Sequence, residues 1–368
     1  MSRSMPTMSS LTTHHLLPPF PSDLSTVSLD SISLDELQSS NPSQAETKLF
    51  AACQDIGFFY LPLEDSELGR NILREAEDLH ALQQRFFALP SHAKDEYGRD
   101  KVDPFFSYRW TPCPDGVGRR EMYSLRVDDF LRVRQPLPRH PMISSIEPLL
   151  ASFALHCRQV VQSVLGVLEK SLALPAGALL ALHRDDAARG DFIALQHRAS
   201  EPADELMIQN GEHTDFGSIT ILFNWLGGLQ IREQTNGDGI GEWLYVKPIP
   251  GSVVVNLGDS MVKLTAGLLR SNIHRVAPSP GLQAGLPRYS LVYFSHPNDD
   301  VPLTPVKGGL VDAAQRETDE TGEVVTAADW TVRRSLGDLR GVYTYKGGVE
   351  WRDNSDAVPA PSNRPIAA

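Results

Sequence analysis

Apolar residues in the first half of the chain recur every three to four positions, the pattern of helices that bury one stripe. Leu49, Cys53 and Ile56 share such a stripe, which stops at Gly57. Ahead of them, Ser43-Gln44-Ala45-Glu46 has capping-box spacing, which places a hydroxyl and a carboxylate on N–H groups that the first turn leaves unpaired. Ser66 opens a longer stretch with Leu68, Ile72, Ala76, Leu79 and Phe86 in step, up to Pro90. Ile146, Leu149, Phe153, Cys157, Val160, Val164 and Leu168 predict a third helix over about 145–171. Between the second and third helices the chain reads as loop, with Pro104, Pro112, Pro114 and Gly116 among Phe105, Phe106, Tyr108 and Trp110.

From about residue 191 the period shortens. Segments 192–198, 206–210, 218–223, 228–232, 243–247 and 252–256 are β-branched or alternating, with a turn at Thr235-Asn236-Gly237-Asp238-Gly239. Arg288–Phe294 alternates as a strand and stops at Pro297. Residues 312–340 return to helical, charged sequence. The expected fold class is mainly β with flanking helices. It divides into a flexible tail over 1–22, a helical or mixed region over 23–185, a β core over 186–300, a helical segment over 301–351 and a Pro/Ala/Ser tail over 352–368.

Composition narrows the partners. Of 368 residues, 34 are basic and 46 acidic, and the formal net charge of −12 argues against nucleic acid or an anionic membrane surface, which need clustered Lys and Arg. No run of apolar residues is long enough to span a bilayer. Cys53, Cys113 and Cys157 are odd in number and widely spaced, which fits a reducing compartment; Cys53 and Cys157 fall on apolar helical faces and read as core. The first 22 residues lack an apolar signal region and repeated arginines, so the expectation is a cytoplasmic protein.

Candidate chemistry sits in the β-rich part. His213 and Asp215 are two apart, the spacing that puts an imidazole and a carboxylate on one face of a strand, and His274 follows much later. Two His and one carboxylate form a facial triad suited to Fe(II), leaving positions open for other ligands. Each piece alone is equally compatible with ordinary core or surface histidines. Arg288 and Ser290 are again two apart, in an otherwise apolar strand; a guanidinium beside a hydroxyl suits a carboxylate, and a buried Arg there needs an anion.

With these residues in order, the chain resembles the 2-oxoglutarate/Fe(II)-dependent dioxygenases of the isopenicillin N synthase-like class. The resemblance is carried by His213-Thr214-Asp215-Phe216-Gly217-Ser218-Ile219-Thr220, Gly228-Leu229-Gln230-Ile231, Val254-Val255-Asn256-Leu257-Gly258-Asp259, His274-Arg275-Val276 and Arg288-Tyr289-Ser290. Ala52-Cys53-Gln54-Asp55-Ile56-Gly57-Phe58-Phe59-Tyr60 is similar to the family's opening helix and strand. The resemblance covers roughly residues 25–300. It implies a double-stranded β-helix, or jelly roll, with His213, Asp215 and His274 on Fe(II) and with Arg288 and Ser290 on the distal carboxylate of 2-oxoglutarate. It also implies consumption of O2, release of succinate and CO2, and hydroxylation, desaturation or oxidative ring rearrangement of the substrate. Asn256 and Asp259 read as turn-forming, and Gly217 as permitting close backbone approach. Where the family commonly has a Tyr-rich segment, with a tyrosine that touches the co-substrate, this chain has Ala194-Leu195-Gln196-His197-Arg198-Ala199-Ser200, so either Gln196 or His197 takes over that contact or the contact is missing. Phe105, Tyr108, Trp110, Phe223 and Phe294 are candidate walls of a pocket for an apolar or aromatic secondary metabolite. Two rivals stay open from sequence: an Fe(II) oxidase of the same fold that does not use 2-oxoglutarate, and a ligand-binding relative without catalysis. Oligomeric state is not readable.

Overall fold

The computed structural model describes residues 16–39, 44–112, 119–199, 210–233, 241–315 and 324–340. Most of both tails, Cys113 and the turn at 235–239 lie outside the described residues. In chain order the helices are α1 (Leu34–Gln38), α2 (Gln44–Asp55), α3 (Glu67–Phe87), α4 (Ser91–Asp95), α5 (Val127–Phe130), α6 (Pro141–Ser144), α7 (Glu147–Ser171), α8 (Asp259–Leu264), α9 (Gly309–Gln315) and α10 (Ala327–Arg340). The strands are β1 (Phe58–Pro62), β2 (Tyr108–Pro112), β3 (Arg119–Arg126), β4 (Phe192–Arg198), β5 (Asn210–His213), β6 (Ile219–Asn224), β7 (Leu229–Arg232), β8 (Trp243–Tyr245), β9 (Ser252–Leu257), β10 (His274–Val276) and β11 (Arg288–Ser295).

The strands pair antiparallel in two sheets, one in the order β1-β9-β6-β11-β4-β3-β2 and the other in the order β5-β10-β7-β8. This is the jelly-roll arrangement, with a larger sheet extended at both ends by strands from the N-terminal half. The hairpin β2–β3 stands where the prolines made the sequence read as loop. Its strands nonetheless pair from Tyr108↔Tyr123 to Pro112↔Arg119.

Strand alternation assigns the two faces of the larger sheet. Leu291 and Tyr293 of β11 lie in the main hydrophobic core with Leu195, Ile193, Phe153 and Val164, against α3 and α7. Residues 288, 290, 292 and 294 therefore point the other way, into the space between the sheets. Near one edge that space is filled by Phe58 and Tyr60 of β1, Val254 of β9 and Leu229 and Ile231 of β7. Nonpolar packing thus closes the barrel beside the region where the candidate chemistry lies. Gly57 turns the chain from α2 into β1 at φ +76°, and a Cβ there would come within 2.2 Å of the Arg270 carbonyl oxygen.

Candidate metal centre

His213 is the last residue of β5, and His274, the first of β10, is its direct cross-strand partner. Their rings lie 4.2 Å apart between centroids. Asp215 is not within the strand, as the alternation argument supposed; it lies just past its end, in the connection to β6. The chain bends so that the carboxylate still meets both imidazoles: Asp215 Oδ1 is 3.9 Å from His213 Nε2 and 3.7 Å from His274 Nε2. One ligand atom from each residue falls within 4.8 Å of the others.

The surroundings orient these atoms. Asp215 Oδ2 accepts hydrogen bonds from Thr220 Oγ1 at 2.7 Å and Asn256 Nδ2 at 2.8 Å, which turns Oδ1 toward the histidines. His213 Nδ1 lies 2.8 Å from the Gly211 carbonyl and His274 Nδ1 3.2 Å from that of Asn272. A carbonyl can only accept, so each Nδ1 carries the proton and each Nε2 presents a lone pair to the common point. Burial, helped by His213, pulls His274 down to about 4 although Asp215 and the Asn272 carbonyl act the other way. Burial alone would raise the Asp215 carboxyl, but His274 and His213, with bonds from Asn256 and Thr220, hold it below its ordinary value. A neutral imidazole and an ionised carboxylate are the forms a divalent ion requires. Gly217 and Gly258 permit the close packing behind this loop: a Cβ on Gly258 would lie 2.3 Å from the Gly217 carbonyl oxygen and 2.9 Å from that of Asp215.

Arg288 and Ser290 point into the barrel from β11. Arg288 is buried; its Nε donates to the Gly227 carbonyl at 3.0 Å and its Nη1 to Ser290 Oγ at 2.8 Å. No carboxylate among the described residues neutralises it. Across the strand pair from Ser290, Asn224 is 5 % exposed and its Nδ2 has no acceptor. A buried cation and an unused amide donor beside a hydroxyl form a cradle of donors, which fits a carboxylate. Of the two sequence alternatives on β4, Gln196 is the one inside, opposite Ser290. His197 lies on the helix side, 3.1 Å from Glu121 and stacked on Phe87.

Known proteins share this organisation. Residues 190–297 match the model of the 2OG-Fe(II) oxygenase superfamily, and residues 29–144 match that of the non-haem dioxygenase in morphine synthesis N-terminal. A 2-oxoglutarate-dependent dioxygenase of Aspergillus fumigatus is 27% identical over 337 residues, spanning 85% of this chain and 86% of that protein. The 2-oxoglutarate-dependent dioxygenase iboH of Amanita muscaria is 32% identical over 211 residues, 57% of this chain and 97% of its own length. The chain belongs to the 2OG-Fe(II) oxygenase superfamily. Its fold is that of Neurospora crassa T7H in complex with alpha-KG, with a TM-score of 0.70 at 22% identity over 84% of this chain and 96% of that one. It is an oxidoreductase, and its cofactors are Fe(II), 2-oxoglutarate and O2. The relatives named as 2-oxoglutarate-dependent dioxygenases favour a 2-oxoglutarate-dependent enzyme over the two rivals.

Within this oxygenase the five aromatic candidates separate by face. Phe294 is inside, directly opposite Thr220, whose hydroxyl holds Asp215, and its ring stacks on Phe192 at 4.5 Å. Phe106 continues the group, 6.1 Å from Phe192. Phe223 instead faces the helices, 5.5 Å from Phe153, because its odd position on β6 pairs with Leu291. Tyr108 is buried on the same side against Phe86 and bonds Glu121 through its hydroxyl. Trp110 shares Tyr108's face at the exposed end of β2, opposite Glu121. Strand parity thus removes Tyr108, Trp110 and Phe223 from the cavity wall. Phe105 is half-buried, its N–H bonded to Asp103. Among the described residues no helix is long and apolar enough to cross a membrane.

Sequence reading gave Thr220 no role and took Asn256 and Asp259 only as turn formers. Asp259 accepts from Thr214 Oγ1 at 3.0 Å and pairs with Arg334 of α10 at 3.2 Å. Only the position of Asn256 ahead of a Gly-Asp corner hinted at a role.

Proposed function

We propose that His213, Asp215 and His274 hold the Fe(II), that Arg288 and Ser290 take the distal carboxylate of 2-oxoglutarate with Gln196 alongside, and that the substrate is a small apolar or aromatic secondary metabolite. The convergence of two imidazoles and one carboxylate within 4.8 Å supports the metal assignment above all. The uncompensated Arg288 supports the co-substrate assignment. Phe294 and Phe192, next to the strand that braces Asp215, support an apolar or aromatic substrate.

When bound, the metal and its co-substrate supply the oxidising chemistry, in which O2 is consumed, 2-oxoglutarate is converted to succinate and CO2, and the substrate is hydroxylated, desaturated or ring-rearranged. The chain's own work is placement. Thr220 and Asn256 fix the Asp215 carboxylate, the Gly211 and Asn272 carbonyls fix the imidazole tautomers, and Arg288 with Ser290 sets the direction of the dicarboxylate. The aromatic group keeps water from the reacting carbon and positions it. No side chain has to move a proton.

His213→Ala and Asp215→Ala are expected to abolish Fe(II)-dependent succinate formation while leaving the circular dichroism spectrum and unfolding transition near those of wild type. Substantial turnover in both variants would sink the metal assignment. Phe294→Ala should raise KM for an aromatic substrate at least several-fold while leaving that for 2-oxoglutarate nearly unchanged; equal effects on both would sink the substrate wall.

A further inference from the structure

The register of β4 against β11 has a chemical consequence. Arg288 is paired directly with Arg198, the last residue of β4, and cross-strand partners project from the same face. That face is the inner one, shared with Gln196 opposite Ser290 and with Asn224 on the far side of Ser290. The register therefore puts Arg198 and Arg288 on one face, with Arg120 of β3 opposite Arg198 on its other side, and among the described residues no carboxylate pairs with Arg198 or Arg288. Like charges directly opposite one another in a ladder are destabilising. Burial first and the charge of Arg198 second pull Arg288 down to about 10, the mark of a cation short of a counter-ion. The protein carries a net charge of −12, so the pairing is not a by-product of a basic surface.

We propose that Arg198 is a second guanidinium on the distal carboxylate of 2-oxoglutarate, which it shares with Arg288 across the β4–β11 pair. The inference rests on the co-substrate assignment above and adds a residue that motif reading passed over. A carboxylate has two oxygens and about four acceptor positions, more than one partly engaged guanidinium fills. Arg288 commits Nε to the Gly227 carbonyl and Nη1 to Ser290, which denies it the side-on, two-bond grip on an anion. Arg198 supplies the missing donors from the opposite strand, and the unpaired Asn224 Nδ2 closes the other side. Lacking an acidic partner, this cluster of donors selects 2-oxo acids with an anionic tail over those without one. The co-substrate in turn neutralises this like-charged pair.

The test uses the full chain loaded with Mn(II) in place of Fe(II), so that binding is read without turnover. Titration calorimetry compares 2-oxoglutarate with pyruvate, a 2-oxo acid without the distal carboxylate, on wild type, Arg198→Leu and Arg198→Lys. Loss of one charge-assisted contact should weaken 2-oxoglutarate by roughly 10- to 100-fold in Arg198→Leu, with pyruvate unchanged and partial recovery in Arg198→Lys. A second readout is one that a merely structural residue would not give. Without ligand, Arg198→Leu should unfold at the same temperature as wild type or higher, because repulsion is relieved, while its stabilisation by 2-oxoglutarate shrinks. If Arg198→Leu disturbs the strand, Arg198→Gln repeats both measurements. Affinity for 2-oxoglutarate within twofold of wild type would overturn the inference, and so would an equal loss for pyruvate. Weakened binding confined to an anionic main substrate would also overturn it, by giving Arg198 to that substrate. Failure of wild type to bind 2-oxoglutarate would overturn the co-substrate assignment itself.

Discussion

The residues nearest the proposed iron differ in how openly the sequence displays them. His213, Asp215, Arg288 and Ser290 come as pairs two apart, so their chemistry is visible locally, and His274 is reached through family order. Thr220 and Asn256 are ordinary strand residues by sequence. They become functional only because β6 and β9 pair with Thr220 opposite Asn256, bringing both to Asp215 Oδ2. That register is a tertiary fact with no local signal. Arg198 was hidden for a similar reason: it belongs to the Gln196-His197 segment, and only the register shows that Gln196 and Arg198, but not His197, share the inner face. Asn256→Ala is expected to lower Mn(II) affinity by roughly 10- to 100-fold, the usual cost of losing a group that orients a ligand, with a smaller loss in Thr220→Ala. Titration of the metal-free protein with Mn(II), followed by the metal's magnetic resonance signal, checks this. Unchanged affinity in the Asn256 variant would mean that Asp215 is held by its backbone alone.

At the scale of elements, periodicity located the long helices well: stripes ending at Gly57, running from Ser66 to Pro90 and covering about 145–171 became Gln44–Asp55, Glu67–Phe87 and Glu147–Ser171. Short strands were harder. β10 has three residues, too few to show a period, and the β2–β3 hairpin lies among prolines whose turn signal outweighed the alternation of Tyr108-Arg109-Trp110-Thr111. The helical segment over 301–351 was legible in the sequence as a cover for the barrel mouth, but which of its side chains reach the site was not. In α10, Arg334 is buried against Asp259 and the Thr214 oxygens, and Trp330 donates to the Phe216 carbonyl at 3.1 Å, so one helix grips both sides of Asp215 in sequence. Lys263 of α8 lies 4.6 Å from the Trp330 ring centre. Arg334→Ala leaves Asp259 buried without its counter-ion, and such losses cost about 3–5 kcal/mol. The variant should therefore unfold at lower denaturant. It should also lose metal affinity out of proportion to Trp330→Ala, which removes a neutral hydrogen bond and the ring's contacts with Lys263 and Arg334. Equal metal affinity in Arg334→Ala and wild type would show that α10 merely covers the site.

At the scale of the whole molecule, acid stability separates two kinds of buried group. Asp191 joins three parts of the fold: it accepts from Tyr293 Oη at 2.7 Å and the His296 N–H at 2.7 Å, and meets Arg189 at 2.9 Å and Arg158 of α7 at 3.3 Å. Burial alone would raise its carboxyl, but Arg189 and Arg158 outweigh burial and hold it below the ordinary value. Its stabilising contribution is thus complete above the unfolded carboxylate range and is lost only as pH falls below that range. His183 behaves in the opposite sense. Fully buried between the Leu179 carbonyl and Ser218 Oγ, each 2.8 Å away, it is pulled from 6.5 down to about 4 by burial. Between those two values the unfolded chain takes up a proton that the native protein refuses, so stability falls as pH drops from about 6.5 to about 4. A gap of that size corresponds to about 3 kcal/mol when fully developed. His296, also pulled down to about 4 by burial, adds a term of the same sign, and so does His274 in metal-free protein. Urea midpoints measured from pH 7 to pH 4 should decline in wild type and decline less steeply in His183→Gln, with the histidines at 274 and 296 contributing equally to both curves. Asp191→Ala should lower the midpoint at every pH in this window, because the native carboxylate stays ionised throughout it. Parallel wild-type and His183→Gln curves would place the acid sensitivity elsewhere in the protein.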